Sequence, residues 1–387
     1  MPWGASNRMP FEVLDRIEAD ETMSACMEFQ SEVFYGAGLQ FDTSAEKSAQ
    51  SRRQAEEFAD DSDLSSFWLG IGEDLKHFAF AVALLTLNAD GSRIVALSRL
   101  EACYCRFAPA APDGRIPAVC YANWRHPSLS ADEIEVIPML DPRRPFHDLT
   151  DRMKRHSADR RFALVVRMPK VDSTYYPIPT YASLFRSKWY DIKRLIAVAK
   201  EAKLRNSAPI KYHIQVSEKY FPRIFKAEGI TDPAKQQLRV IEEKKRMVEF
   251  LTGAHNSGKA WFSISYVTPD GKTQSDVTIT RIESAKEGGD WETDIQEAIN
   301  MVCFALRVHS NLVGSVPGKS QSNNSGSDKR ELYTIAQALQ KPYRDLAFAV
   351  PRLICRYNGW RGVRPVCPFI QLTTLDEHAD ARSVDIP

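Results

Sequence analysis

The segment WETDIQEAINMVCFALRVHSNLVG, residues 291–314, is the part of the sequence that decides the fold. Its apolar residues recur at steps of four, three and four, a spacing that places them on one face of an α-helix. These residues are Ile295, Ile299, Val302 and Leu306. The pattern predicts a helix over Trp291–Val308, which closes on a turn that ends at Gly314.

The residues after this helix have a different character. Residues 309–327 are mainly small and polar and lack apolar periodicity after Val316, which predicts a flexible loop. A helix resumes at Asp328, because Asp328 and Glu331 fit the N-cap and N3 positions of a capping box. Pro342 should kink or interrupt this helix, since proline cannot donate the helical hydrogen bond. A closing strand is expected over Val366–Leu372, before a polar tail.

Upstream of residue 291 the chain alternates between helical and extended patterns. Ala182–Arg205 carries apolar residues at helical spacing and lysines and arginines on the other face, which predicts an amphipathic helix. A strand is expected at Ile210–Val216, and a basic helix is expected at 233–252. Two further strands, Ala260–Val267 and Ser275–Ile282, are joined by a Pro-Asp-Gly turn signal.

The first 180 residues predict an α+β domain. Helices are expected over 12–34 and 45–60, and a long apolar pattern over Leu64–Leu87 starts as a helix. Pro-rich turns separate the strand candidates that follow. These candidates are Ile94–Phe107, Ile116–Trp124, Glu133–Leu140 and Phe162–Met168.

Composition and charge exclude several classes of protein. The chain has 387 residues, 43% of them hydrophobic and 26% charged, as in soluble proteins of two or three folding units. Its longest apolar run, Phe78–Leu87, is half of what a spanning helix needs. The net charge of +1 argues against strong non-specific binding to nucleic acid. Residues 1–90 nevertheless carry a net charge of −11, and residues 181–247 carry a net charge of +9. These opposite charges would favour head-to-side association of copies of the chain, or they lie on helix faces that are simply solvated.

The cysteines and histidines predict neither a disulfide framework nor a metal site. Seven cysteines form no Cys-x-x-Cys pair, and the eight histidines form no zinc motif, so we expect free, mostly buried thiols and no cofactor. Cys103 and Cys105 would share one face of a strand, where a disulfide is awkward. No catalytic constellation emerges from the residue types, and no catalytic residue is predicted.

One motif has the spacing of a nucleotide-binding loop. Residues 253–260 read GAHNSGKA, but Ala260 stands where Mg²⁺ binding needs a serine or threonine. A helix precedes the motif and a strand follows it, the reverse of what phosphate binding needs. A second Gly-Lys pair, Gly318-Lys319, has shorter spacing. The motif therefore favours a helix end at Gly253 over a nucleotide site.

The order of elements over 288–356 resembles the portal proteins of tailed bacteriophages, of the prophage type. The helix 291–308 closes on VHSNLVG, a polar Gly/Ser loop follows, and a new helix begins with DKREL at Asp328, as in that family. Upstream, YPIP at 176–179, the helix 181–206 and the strand after it resemble a portal stem leading into its clip. The resemblance covers about 175–376 well and the first 174 residues more loosely.

The resemblance implies a domain plan for an α+β portal fold. The chain opens abruptly at Met1, so we expect wing residues found in relatives to be missing, and the helical crown to be largely absent after residue 357. The plan is a wing-like α+β domain at 1–180, a first stem helix at 181–206, a clip at 207–290, a second stem helix at 291–308, a tunnel loop at 309–327, and a kinked helix, closing strand and tail at 328–387.

The resemblance also implies a function. Portal subunits are structural proteins, not enzymes. They form a ring, usually a dodecamer, at one capsid vertex of the virion, through which double-stranded DNA is packaged and ejected. The implied partners are further copies of the chain, DNA in transit without sequence specificity, the terminase packaging motor, a head–tail adaptor and the capsid protein, with no membrane. Assembly would take place in the host cytoplasm.

Three cations are the candidate residues of the DNA channel. Lys319 lies in the expected tunnel loop, and Lys329 and Arg330 begin the next helix. They would touch phosphates and carry no sequence information. For Lys329 and Arg330 ordinary exposure, or contact with acids of a neighbouring subunit, is equally open. Two other functions remain: a nucleotide-binding enzyme that uses GAHNSGKA, and a minor capsid or connector protein without DNA contact.

Overall fold

A computed structural model describes most of the chain. The described residues are 1–126, 128–171, 175–206, 212–252, 265–267, 273–281, 291–314, 326–370 and 372. The chain divides into two compact units, one formed by Met1–Ile196 with Asp290–Pro387 and one formed by Ala197–Gly289. The Lys319 position, the GAHNSGKA motif and the turn at 269–271 lie outside the described residues.

The N-terminal part of the first unit packs helices against two small antiparallel sheets. Its helices are α1 (Met9–Glu18), α2 (Glu21–Tyr35), α3 (Ala49–Asp61), α4 (Leu64–Phe78), α5 (Pro145–Lys154), α6 (Ser183–Arg186) and α7 (Trp189–Asn206), the last of which continues into the second unit. Its strands are β1 (Gln40–Asp42), β2 (Phe80–Leu87), β3 (Ile94–Leu100), β4 (Cys105–Phe107), β5 (Ala118–Tyr121), β6 (Glu135–Pro138) and β7 (Arg161–Arg167).

Two sheets organise this part of the chain. The strand order of the first is β3-β2-β7, with Val82 paired to Leu100 on one side and to Val165 on the other. The order of the second is β4-β5-β6. The sequence of β2, FAVALLTL, is apolar almost throughout because this central strand is covered on both faces.

The second unit contains helices and short strand pairs. Its helices are α8 (Tyr220–Glu228) and α9 (Pro233–Thr252), and its strands are β8 (Tyr212–Val216), β9 (Ser265–Val267), β10 (Thr273–Ser275) and β11 (Val277–Arg281). The strands pair antiparallel, β9 with β10 and β8 with β11. Arg223 of α8 pairs with the buried carboxylate of Asp276 at 2.7 Å, which ties the helix to the strands.

The chain then returns to the first unit. It forms α10 (Trp291–Leu306), the single turn α11 (Ser310–Val313), α12 (Gly326–Ala347), α13 (Ala349–Tyr357) and β12 (Arg364–Val366). β12 pairs antiparallel with β1, so residues far apart in sequence close this unit. The largest apolar cluster lies around Trp68 and Phe162, where α4, β2, β7 and α13 meet. Another cluster joins α2 to α10 through Met23, Met27 and Val302.

Many expected elements are confirmed. Helices form close to the expected positions at α3, α9 and α10, and Leu64–Leu87 is a helix followed by a strand. The strand candidates of the first 180 residues are strands. β7 has the expected length and is offset by one residue, and the others are shorter than expected. Three helices, α5, α8 and α13, were not predicted, because Pro and charged residues interrupt their apolar positions and resemble turns.

Other expectations were wrong at element boundaries. The helix expected over 12–34 is two helices, because Asp20 caps α2 by accepting hydrogen bonds from the N–H groups of Thr22 and Met23. The helix expected from residue 182 breaks at Ser187-Lys188, where Lys188 adopts a left-handed backbone with φ of 70°. The strand expected to reach Phe107 is interrupted by a 3₁₀ turn at Ala102–Tyr104, so Cys103 and Cys105 do not share a strand face.

The C-terminal boundaries also differ. α12 begins at Gly326, so Asp328 lies in its first turn and the capping box with Glu331 is wrong. The helix continues through Pro342 to Ala347 instead of being interrupted there. The loop expected over 309–327 starts with the helical turn α11. The closing strand lies at Arg364–Val366, earlier than expected, because its pairing partner β1 extends over three residues.

Candidate functional site

Two of the three predicted channel cations fall within the described residues. Lys329 is exposed and Arg330 is half-buried in the first turns of α12. Neither side chain makes a hydrogen bond or an ion pair with a described residue. Lys319 lies outside the described residues, and its position relative to these two cations stays a prediction.

The helix α10 is held by its predicted apolar face. Val302 and Leu306 are buried against α2, and the thiol sulfurs of Cys26 and Cys303 lie 4.0 Å apart where the two helices touch. All seven cysteines of the chain are free thiols. On the opposite face Phe304 is 78% exposed. This helix therefore presents a large aromatic side chain to its surroundings while Val302 and Leu306 are buried on its inner face.

The helix α7 turns the opposite face toward the protein from the one that its amphipathic pattern predicts. Its lysine Lys193 is only 4% exposed, whereas Ile192 and Leu195, expected in the core, are exposed. Val198 on the following turn is exposed as well. The apolar stripe of α7 thus faces outward, and a charged side chain anchors the helix inward.

A buried ion pair fixes this orientation. The Lys193 ammonium lies 2.8 Å from the Asp20 carboxylate and 2.8 Å from that of Glu21, at the N-terminus of α2. Burial, the largest single influence, acts to raise the pKa of Glu21. The hydrogen bond from Lys193, a backbone hydrogen bond and the charge of Lys193 together bring the pKa below its usual value. Tyr190 supports the same orientation, since its hydroxyl donates to the Arg16 carbonyl at 3.0 Å. Sequence periodicity did not predict the pairing of Lys193 with Asp20, although Asp20 before an apolar helix is an N-cap signal.

The helix α12 also turns polar side chains inward. Arg344 is buried and donates to the carbonyls of Phe34 and Val33 at 2.9 and 2.6 Å, which are the free carbonyls at the C-terminus of α2. Gly36, the next residue on, has φ of 59°, and a Cβ there would lie 2.6 Å from the Arg344 guanidinium, so only glycine fits. On the outer face of α12, Ile335 and Leu339 are exposed.

The three helices α7, α10 and α12 therefore share one property. Each is anchored to α2, and each leaves apolar side chains exposed on its outer face. Apolar side chains that stay exposed on firmly anchored helices are candidates for contact with another protein chain. We call the exposed residues Ile192, Leu195, Phe304, Ile335 and Leu339 the outer apolar set.

Metal binding and membrane insertion find no support in the described residues. Among them, no group of three or more His, Cys, Asp or Glu side chains is placed to hold a metal ion. No helix in the described part of the chain is long and apolar enough to cross a membrane. The arrangement presents exposed apolar side chains on α7, α10 and α12, and the cations Lys329 and Arg330 in the first turns of α12.

The comparisons with known proteins bear on the fold. No protein-family model matches the chain, and no curated protein matches its sequence. A chain from the neck of an empty gene transfer agent (GTA) particle, computed with C6 symmetry, matches with a TM-score of 0.63 and 12% identity, over 97% of this chain and 87% of that one. A chain from the virion of the native GTA particle matches with a TM-score of 0.60 and 12% identity, over 94% and 84%. A chain from the neck of the native GTA particle, computed with C12 symmetry, matches with a TM-score of 0.60 and 13% identity, over 97% of this chain and 87% of that one.

These matches define the class of fold. The chain has the α+β fold of a protein chain found in phage-like particles, and the resemblance to phage-particle proteins is confirmed at this level. The match extends over both of the compact units, since it covers nearly the whole chain. The names wing, stem, clip and tunnel loop for its parts stay predictions.

Proposed function

We propose that this protein is a structural, non-catalytic subunit of a head–tail particle, and more specifically a portal subunit. In this role several copies close into a ring around a channel for double-stranded DNA at the capsid vertex of a virion. The single observation that carries the proposal is the fold shared over 97% of the chain with a particle-neck protein. The prophage-type portal resemblance of residues 175–376 supports the finer assignment.

The outer apolar set supports assembly from copies of the chain. In a ring each subunit buries one surface against a different surface of its neighbour, and an isolated subunit therefore exposes both. Leu195 is 65% exposed although a buried ion pair fixes the helix that carries it. The opposite charges of residues 1–90 and 181–247 favour the same head-to-side contact.

The available cations support passage of DNA. A channel must not grip its cargo, so a few cations are better suited than a strongly basic groove, whose affinity would rise with each phosphate contact. Lys329 and Arg330 have no carboxylate partner among the described residues, and the chain as a whole is close to neutral. The packaging motor, the adaptor and the capsid protein are further partners of the proposed role, and assembly takes place in the host cytoplasm.

A first experiment tests assembly. Wild-type protein, L195D and the matched control V136D are compared by mass photometry and negative-stain electron microscopy. Val136 is similarly exposed, at 63%, but lies on strand β6 and outside the outer apolar set. We expect closed rings for the wild type and V136D, and folded monomers for L195D. A wild-type chain that stays monomeric at high concentration, or rings of L195D, would contradict the assembly proposal.

A second experiment tests the DNA channel. The charge-reversal variants K319E and K329E/R330E are compared in a packaging assay with K341E, on the same helix α12 but paired with Asp345 at 2.6 Å. We expect the first two to lower the amount of packaged DNA severalfold and K341E to leave it unchanged. Rings that form normally and fill normally in all variants would remove these three cations from the DNA path and favour a connector without DNA contact.

A further inference from the structure

A small cavity in the first unit is not used by the proposed function. It lies where the C-terminal ends of α4 and α10 meet the middle of α12, and its volume is about 60 Å³. The polar side chains on its wall are Lys76, Lys170, Thr180, Arg307, Gln340 and Gln30. Among the described residues that line it there is no aspartate or glutamate. We call it the Lys76 cavity.

Lys76 is a buried cation with no anionic partner among the described residues. Its side chain is 6% exposed, and its ammonium lies 3.2 Å from the centre of the Tyr343 ring, which also lines the cavity. It makes no hydrogen bond or ion pair with a described residue. Burial lowers the pKa of Lys76 well below its usual value, and the nearby Arg307 and Arg344 lower it further. Such a group is costly in a folded protein unless something negative compensates it.

The remaining wall offers further hydrogen-bond donors. Arg307 lies at the end of α10, lines the cavity and has a left-handed φ of 58°, a backbone that non-glycine residues adopt at a cost. Gln340 is buried, and its side-chain oxygen accepts no hydrogen bond from a described residue. Because the two ends of an amide are assigned by their partners, a half-turn of this amide presents its N–H groups instead.

We propose that the Lys76 cavity binds a small oxyanion of the phosphate or sulfate class. The Lys76 ammonium neutralises it, and the Arg307 guanidinium and the Gln340 amide donate hydrogen bonds to its oxygens. A volume of about 60 Å³ takes roughly four to six water-sized groups, enough for the four oxygens of a phosphate. Because Lys76 is almost fully buried, the ligand is a free ion and not the phosphate of a DNA duplex. This inference does not depend on the portal role.

Thermal unfolding of the full-length chain tests the site. The melting temperature is measured in sodium phosphate and in sodium chloride at equal ionic strength and pH, and phosphate titration calorimetry gives the dissociation constant. A ligand that binds only the folded state raises the melting temperature as its concentration exceeds that constant. We expect this rise for the wild type and at least a tenfold loss of phosphate affinity in K76M. K341M removes an exposed lysine from α12 and should keep wild-type affinity.

The outcome does not depend on one variant folding. In chloride, K76M should melt at or above the wild-type temperature, because a buried cation is replaced by an apolar side chain of similar shape. R307Q alters an exposed residue and should weaken phosphate binding severalfold without changing the melt in chloride. Absence of a phosphate effect in the wild type, equal affinity in K76M and wild type, or displacement of phosphate by a short DNA duplex would each overturn the assignment.

Discussion

Replacement of Lys193 by methionine tests what fixes the outward-facing helix α7. The substitution keeps most of the side-chain volume but removes the ammonium that lies 2.8 Å from Asp20. Asp20, 1% exposed, is then a buried carboxylate whose remaining donors are the N–H groups of Thr22 and Met23, at 3.1 and 2.9 Å. Removing one partner of a buried ion pair costs about 3–5 kcal/mol. Since two donors remain, we expect a loss near the lower limit, about 3 kcal/mol.

The loss is measured as a change in thermal unfolding, followed by circular dichroism. In a unit of this size, each kcal/mol of lost stability lowers the melting temperature by about 2 °C, so the melting temperature should fall by roughly 6 °C. The matched control K188M breaks the exposed pair at 3.3 Å between Lys188, the residue just before α7, and Asp191 in the first turn of α7. It should cost less than about 1 kcal/mol.

A double variant separates the ion pair from packing. D20N/K193M leaves neither charge buried, and asparagine still caps α2, so most of the lost stability should return. If K193M and K188M have the same melting temperature, or if the double variant is no more stable than K193M, the ion pair does not hold α7 and the reasoning is refuted.

Two further predictions concern α4, which packs on α2. Burial lowers the pKa of His77 below 6.5, so the folded state binds a proton on this ring less readily than the unfolded state. The protein therefore loses stability as the pH falls through 6.5. H77Q should reduce this loss, which is measured by urea titrations at pH 7 and about pH 5. An equal fall in both proteins would contradict the assignment. Gly72→Ala should destabilise the protein by about 1–3 kcal/mol, because the added Cβ would lie 2.3 Å from the Phe34 ring of α2. Ser65→Ala, on the exposed face of α4, should leave the stability nearly unchanged. Equal chemical denaturation curves for the two variants would contradict this prediction and show that α2 moves to make room for the Cβ.

The prediction of α10 succeeded because the information it needed is local. Ile299, Val302 and Leu306 recur with the helical period, and the structure buries Val302 and Leu306 against α2. The same reasoning located β2, whose uninterrupted apolar run predicts an extended or helical core segment. Of the candidate site, sequence reasoning supplied the positions of Lys329 and Arg330 at the start of a helix, which the structure confirms as helical.

The prediction of α7 failed for a physical reason. Periodicity shows that a helix has an apolar stripe, but it does not show which face the rest of the chain covers. Here the inward face is chosen by the carboxylate of Asp20, 173 residues earlier, which attracts Lys193 and leaves Leu195 outside. The cavity around Lys76 was equally hidden, because its wall comes from helices that are distant in sequence.

What the sequence alone determined was the type and order of most elements, the near-neutral charge, and the resemblance that pointed to a phage-like particle fold. These properties follow from local backbone preferences and from periods of two and 3.6 residues, which need only neighbouring residues. The tertiary structure decided the direction in which each helix faces. That choice depends on which polar groups find partners when α7, α10 and α12 pack on α2, since an unpaired buried charge costs more than an exposed leucine.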